Sequence, residues 1–240
     1  MFSIATGRIK SSVMNYVHQL PINVPGILYN GGLVYDFNQD KPLWNSSLPD
    51  EIYGIVPMLQ QQFPELGIEI YSDEKAYFIQ ENAITDLHKS KESITICYDP
   101  VDQIASPWEK IILVWDPEKL EKVEQFLQVL QLPMHLVRSE SFFLEILPKG
   151  VSKGSALQHL FRESDLNPKY VVAIGDNMND FELLQEAEIG VAVENAHPRL
   201  KEAADVITVH HNQHAIAAII KDMQQLLAES SKVEKKKIAF

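Results

Sequence analysis

Short apolar runs alternate with stretches of helical apolar spacing along this chain, and the manner of alternation changes twice. The first residues run into Thr6-Gly7-Arg8 and predict a strand with no lead-in segment. Ser11–Leu20 predicts a short helix ended by Pro21. Gly26-Ile27-Leu28-Tyr29 predicts a second strand stopped at Asn30-Gly31-Gly32, with Leu33-Val34-Tyr35 returning beside it as a small hairpin. From about Trp44 to Leu147 the order becomes helix then hairpin, and it occurs twice. Helix Leu48–Phe63 precedes strands Gly67–Ser72 and Lys75–Gln80, and helix Pro117–Leu130 precedes Met134–Arg138 and Phe142–Leu147. Strands Ile94–Tyr98 and Ile111–Trp115 lie between the copies. After Gly150 single helices and strands alternate strictly. They are helix Lys153–Glu163, strand Tyr170–Ile174, helix Asp180–Glu186, strand Ile189–Val193, helix Pro198–Ala203, strand Val206–Val209 and a last helix near Gln213–Ala228.

Strands alternating with helices predict an α/β fold with a doubly wound, Rossmann-like parallel sheet between helical layers. The core would be discontinuous, residues 1–43 plus 148–240, and residues 44–147 would be an inserted α+β layer with its own core. The Lys232–Lys237 tail reads as a solvated end.

Composition narrows the partners. The 240 residues are 45% hydrophobic and 22% charged, ordinary for a globular chain. A formal net charge of −12 argues against nucleic acid or an anionic membrane as the main partner. Cys97 is the only cysteine, which excludes an intrachain disulfide and suits a reducing compartment. Ile111–Trp115 and Ala215–Ile220 are far too short to span a membrane, and the N-terminus lacks a secretory pattern. These features predict a cytoplasmic protein, monomer or homodimer.

The densest chemistry is Val171-Val172-Ala173-Ile174-Gly175-Asp176-Asn177-Met178-Asn179-Asp180. An apolar strand ends at a glycine, and Asp176, Asn179 and Asp180 follow at i, i+3 and i+4, which would place them on one side of an opening helical turn. One such Asp reads as an ordinary helix cap. Three converging groups exceed what a cap needs and suit a hard cation and a phosphate. Thr6-Gly7-Arg8 ends the first strand with a hydroxyl and backbone N–H groups able to hold phosphate oxygens, though Thr-Gly alone is also a common turn. Lys153 opens a helix whose dipole disfavours a cation there, so it either answers an anion or is a solvated surface lysine. Asn30-Gly31-Gly32 alone reads as a hairpin turn. His210, His211 and His214 lie in a loop without a nearby cysteine and read as surface histidines ahead of a transition-metal site.

In this order, these segments resemble the haloacid dehalogenase-like (HAD) hydrolases, in particular their Cof-type (subfamily IIB) branch of magnesium-dependent phosphatases. The matching stretches are Phe2–Arg8, Ile27–Gly32, Leu144–Gly154 and Ile174–Val193, and the resemblance covers essentially the whole chain. It implies that 44–147 stands in the place of that family's large cap. Thr6 with Gly7 would contact phosphate, and Lys153 would offset charge on the phosphoryl group. Asp176 would be a Mg²⁺ ligand and Asn179 a phosphate contact. Asp180 would orient Lys153 or a metal-bound water, and Asn30 and Arg8 would lie near substrate at the cap–core junction. Hydrolysis of small phosphomonoesters, sugar phosphates or phosphorylated cofactors, would follow.

The family's first motif, an apolar strand ending in Asp-x-Asp-Gly-Thr, does not occur in these 240 residues. By resemblance its first Asp is the nucleophile and its second the general acid/base. Ile111–Val114 followed by Trp115-Asp116-Pro117-Glu118 mimics it, but reads as a helix start: Asp116 as cap, Pro117 at the first position, Glu118 in the first turn. The chain as written is therefore expected to be inactive, with a non-catalytic binder of phosphometabolites or an N-terminally truncated gene product as the alternatives. It is also expected to be less stable than a version extended upstream.

Overall fold

A computed structural model describes residues 1–91 and 94–224, and contacts divide it into two compact units, Met1–Asn167 and a second beginning at Pro168. The end of the expected last helix beyond 224 and the Lys232–Lys237 tail lie outside the described residues, whereas 215–224 is helical. Among the described residues no helix is long and apolar enough to cross a membrane.

The first unit begins with extended backbone that makes a single parallel bridge, Ala5 with Ile27, instead of the expected strand. The Ile27 N–H donates to the Ile4 carbonyl and the Thr6 N–H to the Ile27 carbonyl. Pro25 has no N–H to continue that ladder upstream, and the Ser3 hydroxyl takes its carbonyl instead. Next come α1 (Lys10–Val17), β1 (Gly26–Leu28), β2 (Leu33–Asp36) and β3 (Lys41–Asn45), the last three forming an antiparallel sheet in that order. Sequence periodicity did not foreshadow β3, whose Pro42 suits the edge it occupies.

The expected helix Leu48–Phe63 is broken in two: a 3₁₀ turn over Asp50–Ile52, then α2 (Ile55–Gln62). Pro57 lacks an N–H and fits only a first helical turn, so the helix restarts beside Gly54. Then follow β4 (Gly67–Ser72), β5 (Lys75–Gln80), α3 (Ala83–Lys91), β6 (Thr95–Cys97), β7 (Lys110–Val114), α4 (Pro117–Val129), β8 (Met134–Glu140), β9 (Phe143–Pro148) and α5 (Lys153–Glu163). Their strands make one six-stranded sheet ordered β6-β5-β4-β7-β9-β8. Both helix–hairpin copies are present and flank β7, one hairpin through its first strand and the other through its second.

Both faces of that sheet are covered. Ile68, Ile70, Ile111 and Leu113 point to one side and pack with Leu59 of α2 and Leu120, Val123 and Leu127 of α4. The alternate residues Tyr71, Ile112 and Val114 pack on the other side with Ile9, Val13 of α1, Leu28, Tyr29 and Tyr35. Burial of these side chains, roughly 1.5–3 kcal/mol each, outweighs the weak intrinsic preference of any one element.

In the second unit, β10 (Val172–Gly175), α6 (Phe181–Glu186), β11 (Ile189–Ala192), α7 (Pro198–Ala203) and β12 (Val206–Ile207) alternate as expected. The strands form a parallel sheet ordered β10-β11-β12, the α/β architecture the alternation implied. Gly190 lies under α6: a Cβ there would stand 2.8 Å from the Leu184 carbonyl oxygen.

Candidate phosphate and metal sites

Three of the segments singled out in the sequence meet within the first unit. The turn 6–8 is tied back by its carbonyls: the Asn30 N–H donates to the Thr6 oxygen (3.0 Å) and the Tyr29 N–H to the Arg8 oxygen (3.1 Å). The Arg8 N–H donates to Thr6 Oγ1 (3.2 Å). Gly7 lies against the Asn30 side chain, where a Cβ would stand 2.8 Å from Asn30 Nδ2. Tyr29 and Asn30 both hold φ near +53°, and Gly31 holds +106°. Such a run of left-handed backbone costs about 1–2 kcal/mol per non-glycine residue, so the surrounding structure must hold it.

Gly31 in turn abuts the start of α5. A Cβ at Gly31 would stand 2.1 Å from the Ser152 carbonyl oxygen and 3.0 Å from the Lys153 nitrogen, so only glycine lets the two segments touch. Ser152 caps α5 through a reciprocal pair: its hydroxyl accepts from the Ser155 N–H (3.1 Å), and Ser155 Oγ accepts from the Ser152 N–H (2.9 Å). Lys153 follows at the first helical position and is buried, 5% exposed. Burial removes the solvated-surface reading of this lysine. Arg8 points its guanidinium along α1, with Nη1 donating to Ser12 Oγ (3.0 Å) and the group over the Tyr16 ring.

The second unit carries the motif that follows Ile174. Asp176 is exposed just beyond β10, and its carbonyl accepts from the His197 N–H (2.9 Å). The turn that follows is not the α-helical turn expected. Asn177 is extended and caps a 3₁₀ turn over Met178–Asp180, and α6 starts only at Phe181. Asp180 therefore folds back: its Oδ2 accepts the Asp176 N–H (3.0 Å) and the Asn177 N–H (3.4 Å), and the residue is 5% exposed. Asp176, Asn179 and Asp180 do not share a helical face. The buried Asp180 shapes the loop that presents the exposed Asp176.

Among the described residues no three His, Cys, Asp or Glu side chains gather as a metal-holding group. Mg²⁺ asks for less, because it keeps several waters and is commonly held by one or two carboxylates with a substrate phosphate. The hard-oxygen donors of Asp176 and its loop fit such partial coordination. Two of the clustered histidines make local hydrogen bonds: His210 Nδ1 accepts from the Asn212 N–H (3.2 Å), and His211 Nδ1 meets the Asn195 side-chain Nδ2 (2.9 Å).

Sequence reasoning missed a buried polar network on the six-stranded sheet. Lys110 Nζ donates to Glu145 Oε2 (2.8 Å) and to the Gly7 carbonyl (3.0 Å), and stands over the Tyr71 ring. Tyr71 Oη donates to Glu69 Oε2 (2.9 Å), which also meets His88 Nδ1 at 3.0 Å. Glu69, Lys110 and Glu145 are 0–3% exposed. Nearby Glu109 leaves Oε2 buried without a hydrogen bond, and burial, with Asp73 and Glu74 adding to it, pushes its carboxyl up to about 7.

Comparison with known proteins places these features in a family. Residues 1–220 match the family model described as haloacid dehalogenase-like hydrolase. A provisionally named phosphatase of Haemophilus influenzae is 29% identical over 221 residues, covering 90% of this chain and 82% of that protein. The crystal structure of a haloacid dehalogenase-like hydrolase from Bacteroides thetaiotaomicron superposes with a TM-score of 0.79 at 27% identity, over 92% of this chain and 85% of that one. The HAD subclass IIB sugar phosphatase BT4131 shares the fold with a TM-score of 0.79 at 17% identity, over 92% and 85% of the two chains.

Proposed function

This chain belongs to the haloacid dehalogenase-like hydrolases, and on that premise we propose that it binds the phosphoryl group of a small phosphomonoester with Mg²⁺, as a phosphatase by descent. The observation that carries this reading is the junction of Thr6-Gly7, Asn30-Gly31 and Lys153 in the first unit. Thr6 and backbone N–H groups orient phosphate oxygens, and the buried Lys153 ammonium neutralises their charge. Both act without reorganisation because their elements are pinned. By resemblance Asp176 would be a Mg²⁺ ligand, and Mg²⁺ when bound supplies Lewis-acid stabilisation to phosphoryl groups. On this reading the core comprises 1–43 with 148–240, and the span 44–147 is the cap whose residues choose the leaving group. Sugar phosphates and phosphorylated cofactors are the substrate class by resemblance.

The 240 residues contain no Asp-x-Asp to serve as nucleophile and acid/base. The proposal for this polypeptide is accordingly binding without efficient turnover. Phosphate release from p-nitrophenyl phosphate and a panel of sugar phosphates, with Mg²⁺ and with EDTA, tests it. The expected outcome is ligand binding by calorimetry at a background rate of release. A metal-dependent rate abolished by Asp176→Asn would falsify the non-catalytic reading, and absence of any phosphate-ester binding would refute the site itself.

A further inference from the structure

The buried Lys110 has no place in the candidate sites above, yet it reaches the turn 6–8. The residue is 3% exposed, and its ammonium is 3.0 Å from the carbonyl oxygen of Gly7 in the turn 6–8. That carbonyl belongs to the Gly7–Arg8 peptide, whose N–H donates to Thr6 Oγ1. A hydroxyl that accepts in this way keeps its single proton to donate elsewhere. The connection therefore runs from Lys110 Nζ to the Gly7 oxygen, through one planar peptide, to the Thr6 hydroxyl. Each donor polarises the next group, and a cation at the head of the chain strengthens every bond after it.

We propose that Lys110 is a positioning residue for phosphate binding: it fixes and polarises the Gly7–Arg8 peptide so that the Thr6 hydroxyl donates its proton to a phosphate oxygen. The inference rests on the reading that the turn 6–8 binds phosphate. Glu145 Oε2 stands 2.8 Å from the lysine Nζ, and Tyr71, tethered through Glu69 to His88, packs its ring against the ammonium. Without a role at Gly7, burying this cation beneath the turn would bring desolvation cost and no compensating specificity. The carbonyls on either side, Thr6 and Arg8, are held by backbone N–H groups. The middle carbonyl, that of Gly7, takes a side-chain cation.

The experiment measures the dissociation constant for inorganic phosphate in Mg²⁺ by calorimetry on the full chain. The lysine is removed as the double variant Lys110→Met with Glu145→Gln, so that no buried charge is stranded, with Lys110→Arg as the conservative form. Thr6→Ala is made alone and in the double-variant background. The account expects about tenfold weaker binding from the double variant, a similar loss from Thr6→Ala, partial rescue by Lys110→Arg and no further loss when all are combined. The Arg8 amide proton should shift upfield in the double variant without phosphate, reporting a weaker hydrogen bond to Thr6. Loss with Thr6→Ala but none with the double variant overturns the role of Lys110 and leaves the phosphate site standing. Multiplicative losses in the combined variant overturn the path through Thr6. If Thr6→Ala and the native chain bind phosphate equally, or neither binds, the phosphate reading fails and takes this inference with it.

Discussion

Replacing Gly31 with alanine tests the packing that joins the turn at Asn30 to the start of α5. Two costs are separable. The backbone at Gly31 holds φ +106°, a region that costs an L-residue about 1–2 kcal/mol. The new Cβ would also stand 2.1 Å from the Ser152 carbonyl oxygen, where real contacts are essentially never below 3.0 Å. The two segments must part by about 1 Å, and forced shifts in packed interiors typically cost about 1–3 kcal/mol. Gly150 supplies the control for strain alone, with φ +79° and nothing within 4 Å of an added Cβ. Gly54 controls for neither, at φ −64° in open space. All three substitutions restrict the unfolded chain equally, so that contribution cancels between them. Expected changes in unfolding free energy are a loss of about 2–5 kcal/mol for Gly31→Ala, a loss of about 1 for Gly150→Ala, and little change for Gly54→Ala. Urea unfolding followed by tryptophan fluorescence is the assay, since Trp44, Trp108 and Trp115 all lie in the first unit. Equal stabilities of the Gly31→Ala and Gly150→Ala variants, within about 0.5 kcal/mol, would refute the close approach to Ser152.

Other perturbations address separate contacts. Glu109 has its carboxyl pushed up to about 7, so the folded state holds a proton that the unfolded chain releases above pH 4.5. Its contribution is present below that pH and lost as pH rises through 7, by about 3 kcal/mol at most. Relative to Glu109→Gln, the native chain should lose stability between pH 5 and 8, and parallel pH profiles in denaturant unfolding would exclude the effect. Ser152→Ala removes one half of the reciprocal cap on α5 and should cost about 1 kcal/mol in the same fluorescence assay. Asp180→Ala leaves the Asp176 and Asn177 N–H groups without their carboxylate acceptor, and amide exchange at both should speed by tenfold or more, while Asp180→Asn changes it less. Unchanged exchange in the alanine variant would show that the loop is held by other means.

Local signals carried the sequence reading furthest. The hairpin Gly67–Ser72 with Lys75–Gln80 and the helix Lys153–Glu163 occur at the residues expected, because a turn at Asp73-Glu74 and a serine cap are encoded by neighbours in sequence. The α/β alternation after Gly150 was legible for the same reason, and the family followed from four motifs in order. Helix α3 was not, since only Ile84 and Leu87 are large apolar residues in it and its His88 is directed to Glu69, nineteen residues away. Glu69 and Glu145 lie at the polar positions of alternating strands, and sequence reading gave them no role. Tertiary packing covered that face with Tyr29, Tyr35 and α1, and paired Glu145 with a lysine 35 residues distant. The loop after β10 misled through spacing: i, i+3, i+4 describes an α-helix, and the cap at Asn177 makes the turn 3₁₀. Lys153 was identified by position alone, and its burial raises it from a surface possibility to the cation on which the proposed site depends.

The most direct test of that site is the affinity of the chain for inorganic phosphate before and after removing this charge. Calorimetric titration in Mg²⁺ of the native protein and of Lys153→Met, matched in fold by circular dichroism, isolates the ammonium at the head of α5. The account predicts binding that weakens at least tenfold in the variant, about 1.4 kcal/mol or more. Equal affinity in the two proteins would contradict it.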